Sequence, residues 1–154
     1  MLLDRFPRMD NLNKRGIILQ GEEALCSFCK EANETLEHSL FKCKFAIDVW
    51  NACYRWLGLF SAMHKKPIQH FMIHDCSWLG SHKNKVWKSV WGATVWALWC
   101  HRNNLIFGEQ SLDLDSVVET IKFKSWLWLE SYVKAFHFSF FEWFSNPMSS
   151  LQSL

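Results

Sequence analysis

The feature that most constrains this chain is the stretch CSFCKEANETLEHSLFKC at 26–43, which gathers three cysteines and a histidine. Their spacing is C-x2-C-x8-H-x4-C. The two residues between Cys26 and Cys29 allow one tight turn to aim both sulfur atoms at a common point. Residues five apart on a continuous α-helix point about 140° away from each other. His38 and Cys43 therefore predict a break in the helix between them.

This set of side chains matches the ligands of a structural zinc site, in which three thiolates and an imidazole close a tetrahedral coordination sphere. We therefore predict Zn²⁺ bound by Cys26, Cys29, His38 and Cys43. Thr35 is placed to cap a short helix that carries His38. The alternative interpretation is that the cysteines are small buried side chains that lie close together by chance.

Composition narrows the class of protein further. The chain has 154 residues, of which 49% are hydrophobic, so it is long enough for one packed domain with or without a small appendage. Six cysteines and no signal peptide indicate intracellular thiols, nuclear or cytoplasmic, and we expect Cys53, Cys76 and Cys100 to be core thiols. The apolar run at 89–100 is shorter than the roughly 20 residues that cross a bilayer. We expect it to be a buried helix, with no membrane as partner.

Hydrophobic periodicity predicts a mainly α fold, in which a small zinc-knuckle module is followed by amphipathic Trp-rich helices. We expect a short element before the knuckle and helices at about 44–58, 83–106 and 115–136. The second helix carries an apolar stripe of Trp87, Trp91, Val95, Leu98 and Trp99. The third carries one of Val118, Ile121, Trp126, Leu129 and Val133. The tryptophan stripes are expected to face one another.

These elements divide the chain into four segments. Residues 1–60 form the zinc-binding module and residues 61–82 form a loop or linker. Residues 83–136 are the helical Trp-rich region. Residues 137–154 are an aromatic and then polar tail, which we expect to fray.

The string CSFCKEANETLEHSLFKCKFAIDVW resembles the zinc-binding domain found near the C-terminus of plant non-LTR (LINE-type) reverse transcriptases. The matching residues are Cys26, Cys29, Glu34, Thr35, His38, Leu40, Phe41, Cys43, Ala46 and Trp50, with Ser39 between His38 and Leu40. The segments FPRMDNLNKRGI, WGATVWALWCHRNNLIF and KFKSWLWL resemble further parts of that family. Its members have another Trp-containing stretch ahead of these, so the resemblance implies a module truncated at its N-terminus. No Tyr-x-Asp-Asp step of a polymerase is present.

The resemblance implies a non-catalytic accessory module that helps its parent element to grip RNA or DNA. Zinc knuckles present aromatic and basic side chains to unpaired bases and phosphates. We predict that Phe28, Lys30, Lys42 and Lys44 contact single-stranded RNA or DNA. The alternative is a protein–protein interaction module, or a retroelement relic without selected activity, in which zinc only maintains the fold. We expect no enzyme activity and no small-molecule substrate, because zinc with four protein ligands keeps no open position.

Overall fold

A computed structural model describes residues 25–59, 71, 81–108 and 111–147. Its elements are a π-helical turn at His38–Lys42 and the helices α1 (Lys44–Trp56), α2 (Ser81–Phe107), α3 (Leu114–Tyr132) and α4 (Phe140–Ser145). Within these ranges the extended structure is an isolated bridge between Leu25 and Asn33, and no named strand occurs. The predicted mainly α fold is therefore confirmed.

The predicted helices at 44–58, 83–106 and 115–136 are confirmed as α1, α2 and α3, with ends that differ by up to four residues. The predicted element before the knuckle, most of the 61–82 linker, Cys76 and the end of the tail lie outside the described residues. Among the helices that the structure does describe, none combines the length and the apolar character needed to span a bilayer.

Helix α1 has a defined start and a defined end. It begins after Cys43, whose extended backbone (φ −63°, ψ 137°) separates it from the π-helical turn. It ends in front of Gly58, whose φ of 62° lies in the left-handed region that glycine adopts without steric cost. The backbone N–H of Leu59 donates to the carbonyl of Tyr54 at 2.9 Å, which satisfies one of the last acceptors of the helix.

Helices α2 and α3 pack side by side in opposite directions. A Cβ atom at Gly92 would lie 3.3 Å from the ring of Trp128, so the glycine allows a close approach of the two helices. Near the other end of the pair, the backbone N–H of Asp113 donates to the His101 ring at 3.4 Å. Asp113 also caps α3, because its carboxylate accepts the backbone N–H of Ser116 at 3.0 Å.

Tryptophan rings join the helices into one core. Trp50 of α1 is fully buried, and the rings of Trp87 and Trp91 on α2 each lie 6.4 Å from it between centroids. This contact packs a tryptophan of α1 against the tryptophan stripe of α2, whereas Trp126 of α3 lies outside the buried face of its helix. The contact also means that residues of the predicted 1–60 module and of the predicted 83–136 region share a hydrophobic core.

The buried face of α3 includes Ile121, Leu129 and Val133 of the predicted stripe but differs from it at the other positions. The structure buries residues at a strict four-residue repeat, namely Val117, Ile121, Ser125 and Leu129. Val118 and Trp126, which the periodicity placed on that face, are only half-buried. The inner face carries Ser125 where the pattern predicted the ring of Trp126. The hydroxyl oxygen of Ser125 accepts the indole N–H of Trp143 at 3.2 Å. A small polar residue at a core position was not foreseen from the apolar pattern.

The prediction that the tail frays is wrong for its first part, which folds as α4. Ser139 and Glu142 form a capping box, in which each side chain accepts the backbone N–H of the other residue. Trp143 is fully buried, and its indole N–H donates to the carbonyl of Lys122 on α3 at 3.1 Å. A buried tryptophan with a satisfied N–H fixes this short helix against the core.

Candidate metal centre

The four predicted ligands converge on one point. Each of Cys26, Cys29, His38 and Cys43 contributes one ligand atom, and these atoms all lie within 4.8 Å of one another. The Sγ atom of Cys29 is 3.2 Å from Nε2 of His38, and the Sγ atoms of Cys26 and Cys43 are 3.9 Å apart. Tetrahedral ligands at about 2.3 Å (sulfur) and about 2.0–2.1 Å (nitrogen) from Zn²⁺ lie about 3.5–3.8 Å from one another. The cluster therefore has the dimensions of a single tetrahedral metal site.

Backbone hydrogen bonds hold the first cysteine pair in a tight turn. The N–H of Cys26 donates to the carbonyl of Ala32 at 2.7 Å, and the N–H of Lys30 donates to the carbonyl of Cys26 at 2.8 Å. Lys30 has a φ of 58°, in the left-handed region, and this reverses the chain directly after Cys29. A non-glycine residue in that region costs roughly 1–2 kcal/mol. The turn is therefore locally strained, and it directs the sulfur atoms of Cys26 and Cys29 toward the other two ligands.

The other two ligands are positioned by the predicted break in the helix. Thr35 Oγ1 accepts the backbone N–H of His38 at 3.1 Å, which confirms the predicted cap. The N–H of Cys43 donates to the carbonyl of His38 at 2.7 Å, in the five-residue pattern of a π-helix. The π-helical turn and the extended backbone at Cys43 bring the two side chains to the same side. The indole N–H of Trp50 secures this turn by donating to the carbonyl of Leu40 at 2.7 Å.

The two buried thiols differ in acidity. The pKa of Cys26 is lowered to about 5, first because the Cys43 thiol shares a hydrogen bond with its sulfur, and further by the backbone N–H groups of Cys29 and Phe28. The same shared hydrogen bond raises the pKa of Cys43 above its ordinary range, and burial adds to the effect. The pair therefore loses its first proton more readily than its second, and binding of a metal ion would release the second proton.

A buried ion pair connects the metal-binding loop to α2. Nε and Nη2 of Arg102 donate to the two carboxylate oxygens of Glu34 at 2.5 and 2.9 Å. The two side chains are 5% and 1% exposed. The guanidinium also lies 5.2 Å from the ring centroid of Trp99. Sequence reasoning noted both residues only as parts of a family pattern. The available signal was an arginine within an apolar helix, because arginine is almost never buried unless it is paired.

The three lysines predicted to contact nucleic acid are exposed on the elements that carry the ligands. Lys30 follows the first cysteine pair, and Lys42 and Lys44 flank Cys43. Lys42 forms an ion pair with Glu37 at 2.7 Å, in which both side chains are 44% exposed. An exposed pair of this kind contributes about 0–1 kcal/mol, so it leaves the lysine able to exchange partners.

Phe28 was predicted to contact nucleic acid, and the structure places its ring in the core instead. The residue is only 5% exposed. Its ring packs against Phe45 with 5.0 Å between centroids and stacks on His101 at 6.3 Å. Since a stacking platform must present a free face to the base, Phe28 cannot serve as one in this conformation. The apolar environment next to the first cysteine pair is the physical reason for its burial.

The remaining described cysteines stay outside the cluster. Cys53 is buried on α1, and burial raises the pKa of its thiol to about 12. Burial also raises the pKa of Cys100, which is half-buried on α2. Both thiols are therefore protonated near neutral pH and are poorly suited to metal binding.

Residues 1–50 match the model of a family described as zinc-binding in reverse transcriptase. The match includes all four residues of the cluster and ends at Trp50, within α1. It covers about a third of the chain. Comparison with curated proteins and with solved structures gives no match. The fold and the cluster thus define a helical protein with a Cys₃His metal-binding module, and its first fifty residues are similar to the zinc-binding domain of reverse transcriptases.

Proposed function

We propose that this chain is a zinc-binding, non-catalytic accessory module derived from the reverse transcriptase of a plant non-LTR (LINE-type) retrotransposon, and that it binds single-stranded RNA or DNA. The observation that carries the proposal is the convergence of four soft and borderline ligands inside the segment that matches a zinc-binding family. The plant LINE-type origin is supported by the sequence pattern around Glu34, His38 and Trp50.

Zinc is the metal that best fits this donor set. Thiolates select zinc, copper(I) or iron–sulfur clusters, while an imidazole and a tetrahedral arrangement favour zinc among these. Three thiolates and one neutral imidazole around Zn²⁺ give the centre a net charge of about −1. Four protein ligands saturate the ion, so its role is to hold the loop in shape rather than to activate water.

The exposed lysines support a nucleic-acid surface next to this centre. The metal would fix the turn that carries Lys30 and the junction that carries Lys42 and Lys44. Three phosphate contacts on a single strand predict a slope of about −2 for log affinity against log salt. Because Glu37 competes for Lys42, we expect the binding to be weak. Contacts to phosphates carry no sequence information, so we expect no sequence preference.

The test is a salt titration of binding to a fluorescently labelled single-stranded oligonucleotide, measured by anisotropy. Replacing both Lys42 and Lys44 with alanine is expected to reduce the salt slope by about 1.4 and to leave the zinc content unchanged. Lys134→Ala, which removes an exposed lysine after α3, is the matched control. Cys43→Ser is expected to remove both zinc and binding. Unchanged affinity of the double variant would show that these lysines do not form the surface.

Exposed aromatic side chains favour a second candidate, a protein–protein interaction module or a relic whose zinc site only maintains the fold. Phe107 is 84% exposed and Phe141 is 78% exposed, and such rings are candidates for protein contacts. Absence of any salt-dependent binding by the parent chain would favour this candidate over nucleic-acid binding.

A further inference from the structure

A groove between α2 and α3 lies outside the metal centre and has a polar lining. Its volume is about 270 Å³. Trp96, Cys100 and Asn104 line one wall at successive turns of α2, and Ser116 and Thr120 line the other wall from α3. This volume lies just below the range of about 300–1,000 Å³ that is typical of small-ligand pockets. The groove therefore suits one small polar group rather than a folded partner.

One end of the groove combines an aromatic ring with a cation. Trp96 is 38% exposed, which makes it the most exposed tryptophan in the described part of the chain. The ammonium group of Lys124 lies 4.9 Å from the centroid of its ring. Lys124 follows Thr120 by one turn of α3, so it stands where the groove ends. Asp113 and Asp115 lie toward the opposite end, at the start of α3.

We propose that this groove binds one unpaired nucleotide of single-stranded nucleic acid, with its base stacked on Trp96 and its phosphate paired with Lys124. The inference rests on the proposed function and adds a second contact site to the lysines at the metal centre. The hydroxyl of Thr120, which lines the groove one turn before Lys124, can both donate to and accept from the edge of a base. The aspartates at the far end repel phosphate and so fix the direction of the nucleotide in the groove.

Stacking can displace the lysine from the indole ring. A base stacked on an aromatic side chain contributes about 5- to 150-fold in affinity. An exposed cation–π contact corresponds to only about two- to five-fold. A bound nucleotide therefore gains more at the ring than Lys124 loses, and the released ammonium gains a phosphate partner. An exposed tryptophan whose ring contacts a lysine can therefore exchange that cation for a base.

The experiment measures binding of a labelled single-stranded oligonucleotide to the full zinc-loaded chain. We expect Trp96→Ala to weaken binding about ten-fold, through loss of stacking. Lys124→Gln is expected to weaken it a few-fold and to reduce the salt slope by about 0.7. Two controls remove the same chemistry elsewhere on the surface: Phe141→Ala removes a ring that is 78% exposed, and Lys134→Ala removes an exposed lysine. Both controls are expected to bind like the parent.

The outcomes separate this inference from the proposed function. Binding that is lost in the Lys42 and Lys44 double variant but unchanged in Trp96→Ala and Lys124→Gln overturns the groove site and leaves the proposed function in place. A parent chain that binds no oligonucleotide overturns both. Should Trp96→Ala unfold, as judged by circular dichroism and zinc content, Lys124→Gln decides alone. A shift of the Trp96 indole NMR signal on addition of oligonucleotide, assigned with Trp96→Phe, would support the site directly.

Discussion

Replacing Glu34 with glutamine tests the buried ion pair with Arg102, which joins the metal-binding loop to α2. The substitution keeps the shape of the side chain but removes the charge that partners Arg102. Because the two side chains are 5% and 1% exposed, the guanidinium would lose this carboxylate while it remains buried. Breaking one partner of a buried ion pair costs about 3–5 kcal/mol. Against a typical domain stability of about 5–15 kcal/mol, this is a large share.

The measurement is urea unfolding followed by circular dichroism, at one fixed zinc concentration because bound metal adds to apparent stability. Glu37→Gln is the matched control. It removes the same group from an ion pair of similar length, 2.7 Å, whose two side chains are each 44% exposed. The control is expected to cost about 0–1 kcal/mol. The expected difference between the two variants is therefore about 2–5 kcal/mol in the free energy of unfolding.

Equal unfolding free energies for Glu34→Gln and Glu37→Gln would refute the reasoning, since they would mean that Arg102 is solvated in the folded protein. A further variant separates charge from shape. Replacing Glu34 with glutamine and Arg102 with methionine together also removes the buried cation, so the double variant should be more stable than Glu34→Gln alone. A double variant that is less stable than the single one would also contradict this account.

Three further predictions concern other parts of the core. Trp50→Phe leaves the buried carbonyl of Leu40 without its donor and is expected to lower the free energy of unfolding by about 1–3 kcal/mol; an unchanged urea midpoint would argue against the contact. Gly58→Ala places a methyl group at a φ of 62° and is expected to cost about 1 kcal/mol, measured in the same way. Burial lowers the pKa of His101 below its ordinary value of about 6.5. As the pH falls below about 6.5, the unfolded chain binds a proton at His101 more readily than the folded chain does, so the free energy of unfolding decreases. His101→Gln should flatten this part of the pH profile, and an equal slope in both proteins would contradict the prediction.

The parts of the fold that were predicted correctly from the sequence depend on local patterns. The spacing of Cys26, Cys29, His38 and Cys43 is a short-range signal, and the break before α1 followed from the geometry of the helix itself. Helix α1 could be placed from its apolar repeat and from Gly58, because both act within the element. In each case the physical cause lies within a few neighbouring residues.

Long-range contacts explain what sequence reasoning missed. Glu34 and Arg102 are 68 residues apart, and no local pattern pairs them. Phe28 resembled an exposed platform until the structure placed Phe45 and His101 against it. Trp143 was assigned to a fraying tail, because the sequence does not indicate the contact with Ser125 on α3 that accompanies its burial. These features depend on which surfaces the folded chain brings together, and a single sequence does not state that.

Zinc-edge X-ray absorption of the purified full chain, combined with elemental analysis, tests the central claim most directly. The account predicts one zinc per chain, with about three sulfur ligands at about 2.3 Å and one nitrogen at about 2.0–2.1 Å. Cys43→Ser should lose this signal together with the folded state, because binding energy at a structural site is also folding energy. A zinc content near zero in protein prepared without chelator, or a shell of oxygen and nitrogen ligands alone, would contradict it.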